Sequence, residues 1–314
     1  MIWAFFALLA GLTYCVQVEV NNRYKRDGFD LNAWRSLFST LLMVPLFPFM
    51  EWPADPRYYL AILLGAAINV AGMVVQYNLA AEKNGRVAIL YQPVTIFLTF
   101  CMWLAIDKSQ FDFFHVHPLH LAGVLVSFAL LFVSLQFVRR NAAGWSALMT
   151  IFPVGVLYAF LGVITKLVLD TGASVLAISL SFVLLSNFLM TLISFPVLVE
   201  RYLERKRAYK TKKRVSKSVT SVFHAVSWMR KKMMDKKTLK PAAIISVFHT
   251  VSWIFINIAT VYAPNAAYPF AVTALGPLWF MIYYKIRGIK DDASPVAGAG
   301  LFAAAVLLVL VSKS

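Results

Sequence analysis

The chain carries few charged residues for its length. Asp, Glu, Lys and Arg make up 14% of its 314 residues, whereas soluble domains carry about 25%. Hydrophobic residues make up 60% of the chain. This balance excludes a soluble enzyme and a disordered chain, because neither could tolerate so much apolar sequence. It favours an integral membrane protein.

Cysteine and recognisable catalytic motifs are also scarce. The two cysteines, Cys15 and Cys101, lie within apolar stretches and form no CxxC motif, so neither a disulfide framework nor a structural metal is expected. The chain has no P-loop, GxSxG, HExxH or dinucleotide-binding motif. We therefore expect no cofactor, no metal, no enzymatic activity and no ATP hydrolysis. Polar loop sequence accounts better than a metal site for the group Asp112, His115, His117 and His120.

Long apolar runs are what the chain does contain. They are about 18–25 residues long, which is enough to cross a hydrocarbon core roughly 30 Å thick as a helix. The N-terminus lacks the positive region of a cleaved signal peptide, so the first run is interpreted as a retained helix. We predict ten membrane helices, over 2–20, 32–50, 58–81, 85–106, 118–138, 145–168, 173–199, 241–262, 265–285 and 294–312.

The order of small and aromatic residues indicates an internal duplication. Three early residues recur at one constant spacing, and two later ones recur at a second constant spacing. The predicted halves are 1–141 and 142–314, with five helices each. An odd number inverts the second half, so we expect inverted repeats with a solute site at their interface; a duplication retained only for packing is the alternative. The recurring pairs are Gly11/Gly155, Tyr14/Tyr158, Gly28/Gly172, Pro93/Pro277 and Asp107/Asp291.

One long basic connection, at about 200–240, interrupts the second half. It concentrates Lys and Arg, and most of the 30 basic residues fall on the same side as the odd-numbered loops. The positive-inside rule places that side in the cytoplasm and both termini outside. We expect the connection to contact anionic lipid headgroups, with a regulatory or partner-binding role as the alternative; nucleic acid is not expected. The near-repeat 221–228/246–253 indicates either an interfacial helix or a duplication without function.

Several short motifs resemble the drug/metabolite transporter superfamily, specifically its EamA-type permeases. The resemblance covers nearly the whole chain except 200–240, although the family's usual Glu after the fourth helix is missing. It implies export or exchange of small metabolites across the cell membrane. Family members generally have both termini inside, which conflicts with the charge distribution above. The motifs lie at 32–35 (Asn-Ala-Trp-Arg), 77–80 (Tyr-Asn-Leu-Ala), 88–93 (Ala-Ile-Leu-Tyr-Gln-Pro), 104–108 (Leu-Ala-Ile-Asp-Lys), 266–268 (Ala-Ala-Tyr) and 274–277 (Ala-Leu-Gly-Pro).

Polar residues inside apolar helices are the candidates for solute binding, because burying them in lipid is unfavourable. They recur at helical spacings, which places them on single faces that we predict converge on one central cavity. The alternative for each is a hydrogen bond between helices. Pro93 and Pro277 are expected to kink their helices. The predicted cavity-lining residues are Tyr14, Gln17, Asn69, Gln76, Gln92, Thr95, Tyr158, His249, Trp253, Asn257 and Thr273.

The sequence thus predicts a secondary transporter for a small organic metabolite or drug-like solute, working by alternating access as a monomer or homodimer. Glu19 and His249 are candidates for proton coupling, although Glu19 could instead pair with Arg23 or Arg35. For Glu19 and Lys166 we favour side chains that extend to the membrane interface. The alternatives are a flippase for a lipid-linked substrate, or a non-transporting scaffold or sensor that uses the basic connection.

Overall fold

The computed structural model describes residues 1–82, 91–139, 145–212, 235–288 and 294–312. Within these ranges the protein is built of helices, with no strand. A 3₁₀ helix, Val44–Phe49, follows the second α-helix. The α-helices are α1 Ile2–Tyr24, α2 Gly28–Met43, α3 Pro56–Glu82, α4 Gln92–Ile106, α5 Lys108–Val116, α6 Pro118–Arg139, α7 Trp145–Leu169, α8 Val175–Lys212, α9 Lys236–Tyr262, α10 Ala267–Thr273, α11 Gly276–Ile286 and α12 Pro295–Val311.

Six of the described helices are long and apolar enough to cross a membrane: α1, α3, α6, α7, α8 and α9. The helices α4 and α12 are apolar but shorter. Large apolar side chains such as Leu60, Phe160 and Leu192 are exposed on the outside of the helices. In water such a surface would be strongly unfavourable, whereas it suits contact with lipid. The architecture is therefore that of an all-α, multi-pass membrane protein.

The second predicted helix starts earlier and ends differently than expected. Asp27 caps α2 by accepting hydrogen bonds from the backbone N–H groups of Phe29 and Asp30, both at 3.0 Å. Capping of this kind fixes where a helix begins, so α2 starts at Gly28 rather than at residue 32. Near its other end, Pro45 and Pro48 lack the N–H groups that an α-helix needs, and the chain continues as the 3₁₀ helix.

The ninth predicted helix, 265–285, is wrong as a single element. It is divided into α10 and α11 by a turn at Ala274 and Leu275. Pro277 is the second residue of α11, where it cannot donate a hydrogen bond to the carbonyl of Thr273, so the α-helical ladder stops there. Pro93 is likewise the second residue of α4; the residues just before Tyr91 lie outside the described ranges.

Where the structure describes them, the remaining helices begin within about five residues of their predicted starts. The helix α8 continues to Lys212, well beyond the predicted end at 199, and residues 85–90 of the fourth predicted helix lie outside the described ranges. The short α5 is additional. The boundary between the two predicted halves and the first copy of the near-repeat, 221–228, both lie outside the described residues. Most of the basic connection does so too. The second copy of the near-repeat, 246–253, belongs to α9.

Polar contacts join α2 and its 3₁₀ extension to α8 at both ends. At one end the Glu51 carboxylate accepts hydrogen bonds from the backbone N–H groups of Ala173 (2.9 Å) and Ser174 (3.0 Å), just before α8 begins. At the other end the Tyr202 hydroxyl donates to Asp30 at 3.2 Å. Elsewhere α1 packs along α9, and α6 packs along α12.

Candidate functional site

A cavity of about 110 Å³ lies where α1, α3, α7, α9 and α10 meet, and α4 and α8 contribute Gln92 and Phe182 to its lining. It contains both aromatic and hydrogen-bonding side chains, which is typical of sites for small organic molecules. None of the residues that line it is an acid, a lysine or an arginine. They are Ala10, Tyr14, Asn69, Met73, Tyr91, Gln92, Tyr158, Leu161, Gly162, Thr165, Phe182, Ser252, Trp253, Ile256, Asn257, Thr260, Phe270 and Thr273.

The structure brings seven of the sequence-predicted residues to this cavity and places four others outside it. The seven come from both predicted halves of the chain. Those that line the cavity are Tyr14, Asn69, Gln92, Tyr158, Trp253, Asn257 and Thr273. Those outside its lining are Gln17, Gln76, Thr95 and His249.

Two glycines make room for the aromatic side chains around the cavity. A Cβ atom on Gly72 of α3 would lie 2.6 Å from the Tyr158 hydroxyl oxygen, so glycine lets this hydroxyl approach the α3 backbone. A Cβ atom on Gly162 of α7 would lie 2.5 Å from the Phe270 ring. Because such short contacts cannot be accommodated without movement, the shape of the cavity depends on both glycines.

Some polar atoms at the cavity are not used by the fold. Within the described residues, Gln92 Oε1 and Asn257 Nδ2 are buried and make no hydrogen bond. The Gln92 amide nitrogen donates to the Thr273 hydroxyl at 3.4 Å, which leaves the Gln92 oxygen as a spare acceptor. Buried polar groups almost always find a partner. One unpaired acceptor and one unpaired donor at the same cavity are thus available to a bound molecule with complementary groups.

Next to the cavity lies a fully packed group of polar side chains, here called the polar layer. It consists of Gln17, Gln76, Tyr77 and His249, all of which are almost completely buried. The Gln17 amide oxygen accepts from His249 Nδ1 at 3.1 Å and from the Tyr77 hydroxyl at 3.4 Å. The Tyr14 hydroxyl, which reaches the cavity, donates to Gln76 Oε1. The polar layer therefore adjoins the cavity through the contact of Tyr14 with Gln76.

Thr95 takes part in helix packing instead. Its hydroxyl donates to the backbone carbonyl of Gly155 at 2.9 Å and so joins α4 to α7. A Cβ atom on Gly155 would lie 2.8 Å from the Tyr91 carbonyl oxygen, so glycine allows this close approach. Thr95 therefore forms a hydrogen bond between helices, which is the alternative to cavity lining given in the sequence analysis.

Arg35 lies deeper in the protein than the sequence suggested. Because α2 begins at Gly28, Arg35 is about two turns inside the helix, and its side chain is completely buried. Its guanidinium donates to Asn32 Oδ1 from Nε (3.2 Å) and Nη2 (2.7 Å). Nη1 donates to Asn187 Oδ1 at 3.1 Å, and Nη2 contacts the Met190 sulfur at 3.5 Å.

Lys166 is also buried, which corrects the prediction that it extends to the interface. Its ammonium donates to the backbone carbonyls of Thr260 (3.0 Å), Val261 (3.2 Å) and Ala263 (2.7 Å). These are the last carbonyls of α9, where the helix dipole is negative. The ammonium also lies 5.1 Å from the centre of the Trp103 ring. Lys166 therefore stabilises the end of α9.

Glu19 is involved in local contacts at the end of α1. Its carboxylate pairs with Arg23 at 3.0 Å, as one of the two sequence alternatives proposed, and not with Arg35. It also accepts hydrogen bonds from Asn22 and from Tyr284, both at 3.1 Å. A role of Glu19 or His249 in proton coupling stays a prediction.

Comparisons with known proteins show a similar fold but no related sequence. No family model and no curated protein matches the sequence. A solved structure described only as "Crystal structure of protein" is similar to this chain with a TM-score of 0.57. The match covers 99% of this chain and 96% of the other, at 13% sequence identity. At this identity the likeness indicates a shared fold over nearly the whole length of both chains.

Proposed function

We propose that this protein is a membrane transporter that moves a small organic solute by alternating access. The observation that carries the proposal is the central cavity, which is lined by helices from both halves and contains unpaired buried polar atoms. A cavity of about 110 Å³ fits a small solute. Its aromatic residues provide contacts for an apolar body, while Gln92 and Asn257 provide one acceptor and one donor.

The packing of the helices supports the proposed inverted repeats. In this scheme α1, α2, α3, α4 and α6 correspond to α7, α8, α9, α10–α11 and α12. If the two halves share one plan, each pair of packed helices should have a counterpart made of the corresponding helices. The counterpart of α1–α9 is α7–α3, that of α2–α9 is α8–α3, and that of α4–α7 is α10–α1. All of these pairs are in contact. The pairs α2–α8, α6–α12 and α4–α10, each of which is its own counterpart, are in contact as well.

A hydrogen bond is repeated between the two halves in the same way. In the first half, Asn21 near the end of α1 donates to the Tyr77 carbonyl of α3 at 2.7 Å. In the second half, Lys166 near the end of α7 donates to the Val261 carbonyl of α9 at 3.2 Å. Each bond runs from the first helix of a half to the third. This repetition favours two halves with one plan, as in the EamA-type permeases that the sequence resembles.

The polar layer gives this proposal a direction of access. It lies between the cavity and the ends of α1 and α3 that face the basic side of the protein. Because its side chains are buried and bonded to one another, it separates the cavity from that side in this conformation. Alternating access then requires the contacts of Gln17 with Tyr77 and His249 to separate during each transport cycle.

The variant Asn257→Leu tests whether Asn257 binds the solute or only stabilises the fold. The Asn257 amide nitrogen is buried and makes no hydrogen bond among the described residues, so Asn257→Leu should leave the stability unchanged or raise it. Loss of a hydrogen bond to the solute should reduce flux roughly tenfold. We suggest identifying a ligand by thermal-shift screening of a metabolite library, followed by flux measurements in proteoliposomes.

The matched control for this experiment is Asn265→Leu. Asn265 is completely buried, donates to Gln110 at 2.7 Å and accepts from the backbone N–H of Ala267 at 2.9 Å, away from the cavity. This variant should lose about 2 kcal/mol of stability and keep its flux per folded molecule. Unchanged flux in Asn257→Leu, or a library in which no compound raises the melting temperature, would contradict the proposed function.

The inverted arrangement predicts that corresponding turns of the two halves face opposite sides of the membrane. Lys25, after α1, and Asp170, after α7, are both exposed. Single cysteines introduced there, with Cys101 replaced by serine, should react with an impermeant maleimide from opposite sides. The charge distribution predicts that Lys25→Cys reacts from the cytoplasm. Labelling of both positions from the same side would rule out inverted repeats.

A further inference from the structure

Among the described residues Arg35 is a buried cation without a negatively charged partner, and this bears on the solute of the proposed transporter. Three charged residues are buried in the described part of the chain: Asp30, Arg35 and Lys166. The two cations differ. Lys166 is compensated by three carbonyls at the negative end of α9. Arg35 has two neutral amide oxygens and a thioether sulfur around it.

The hydrogen bonds of Arg35 are also incomplete. A guanidinium has five N–H groups, and four of them are directed at Asn32, Asn187 and Met190. The orientation of the Asn187 amide is fixed because its nitrogen donates to the Val183 carbonyl at 2.8 Å. Within the part of the chain that the structure describes, one N–H of Nη1 is therefore left over, and one N–H of Nη2 is directed only at the weak acceptor sulfur.

Two of the unpaired atoms around Arg35 are amide donors. Within the described residues, Asn32 Nδ2, beside the guanidinium, and Gln17 Nε2, in the polar layer, are buried without a hydrogen bond. Arg35 lies within electrostatic range of Tyr77 and His249, which both bond to Gln17. Spare donors and a positive charge thus occur together. What they lack is an acceptor with negative charge.

We propose that the transported solute carries an oxyanion, such as a carboxylate or phosphate, which pairs with Arg35 while its apolar body occupies the cavity. This inference rests on the proposed function. In the present conformation the packed polar layer separates the two sites, so the pairing belongs to the conformation in which the contacts of Gln17 have opened. The net charge of +16 would also attract a solute of this kind electrostatically.

Three probes that share a phenyl ring and differ in their head group test the proposal: phenylacetamide, phenylacetate and phenyl phosphate. Binding to the purified full-length protein in detergent is measured by isothermal titration. The wild type should bind at least one of the two anions roughly 30-fold more tightly than the neutral amide, as expected for a desolvated ion pair. The ranking of phenylacetate against phenyl phosphate distinguishes a carboxylate from a phosphate substrate.

Variants at the two buried cations, Arg35 and Lys166, show which of them causes the preference for anions. Arg35→Met should bind the anions no better than the amide, Arg35→Lys should keep part of the preference, and Lys166→Met should keep all of it in the fraction that folds. If Arg35→Met does not fold, the ratio of anion affinity to amide affinity, measured in the wild type and in Arg35→Lys, still tests the proposal. A wild type that binds no anion better than the amide, or an Arg35→Met variant that keeps the preference, would overturn the proposal.

The outcomes for the inference and for the proposed function are separate. Arg35-dependent anion binding without flux of any ligand in proteoliposomes would contradict transport and leave the anion site in place. Flux confined to neutral ligands, without anion preference, would contradict the anion site and leave transport in place.

Discussion

Replacement of Gly162 with leucine is expected to abolish solute flux. Gly162 lines the cavity, and even a single added carbon would lie 2.5 Å from the Phe270 ring. A leucine side chain therefore has to occupy the cavity or push Phe270 into it. Because the cavity is only about 110 Å³, little room for a solute would remain. Flux per folded molecule in proteoliposomes should fall to the background of empty liposomes.

A graded series and a neighbouring residue serve as controls. Gly162→Ala adds one carbon and should reduce flux only partly, because the Phe270 ring can shift to relieve the contact. Phe160→Trp enlarges a lipid-facing side chain of the same helix and should leave flux unchanged. Normal flux in a well-folded Gly162→Leu variant would mean that this cavity is not the solute site.

Replacement of Lys166 with methionine is expected to cause a large loss of stability. The side chains have similar lengths, but methionine cannot donate to the carbonyls of Thr260, Val261 and Ala263. These acceptors would stay buried without their charged donor, and the contact with the Trp103 ring would lose its charge. We expect the free energy of unfolding to fall by about 3 kcal/mol, measured by titration with SDS in mixed micelles.

The exposed Lys108 provides the comparison for Lys166. Lys108→Met makes the same chemical change on the surface, where its effect should stay within about 0.5 kcal/mol. A loss of stability that is equal in the two variants would show that burial and the carbonyl contacts of Lys166 do not matter. The ends of α7 and α9 would then be held together by apolar packing alone.

The sequence predicts much of this fold because the physical requirements of a membrane are simple. A helix must be apolar for about 20 residues to cross, and runs of that length mark most of the helices. Helix ends depend on local detail. The Asp27 cap moves the start of α2 to Gly28, and Pro277 divides the ninth predicted helix into α10 and α11. Apolar runs do not reveal either feature.

The candidate site could be predicted in part, for a related reason. Polar residues on one helical face, such as Tyr14 and Gln17, were assigned together to the cavity. The structure separates them, because Tyr14 reaches the cavity whereas Gln17 lies in the polar layer one turn further along α1. Helical spacing gives the face of a residue but not its depth.

Arg35 and Lys166 were misjudged because of where they lie along their helices. A charge near a helix end usually reaches water or headgroups. The predicted start at residue 32 puts Arg35 in the first turn of its helix, whereas the helix begins four residues earlier, at Gly28. The partners of Lys166 are backbone carbonyls at the end of α9, and no side-chain pattern in the sequence points to them.

The contacts between α2 and α8 restrict how the proposed transporter could move. Glu51 joins the pair at one end, Tyr202 and Asp30 join it at the other, and Arg35 with Asn187 joins it between these ends. Because hydrogen bonds join the two helices at three positions along their length, sliding or separating them would cost free energy. In the proposed transport cycle α2 and α8 would serve as a common axis, and α1, α3, α7 and α9 would turn about it to expose the cavity to each side in turn.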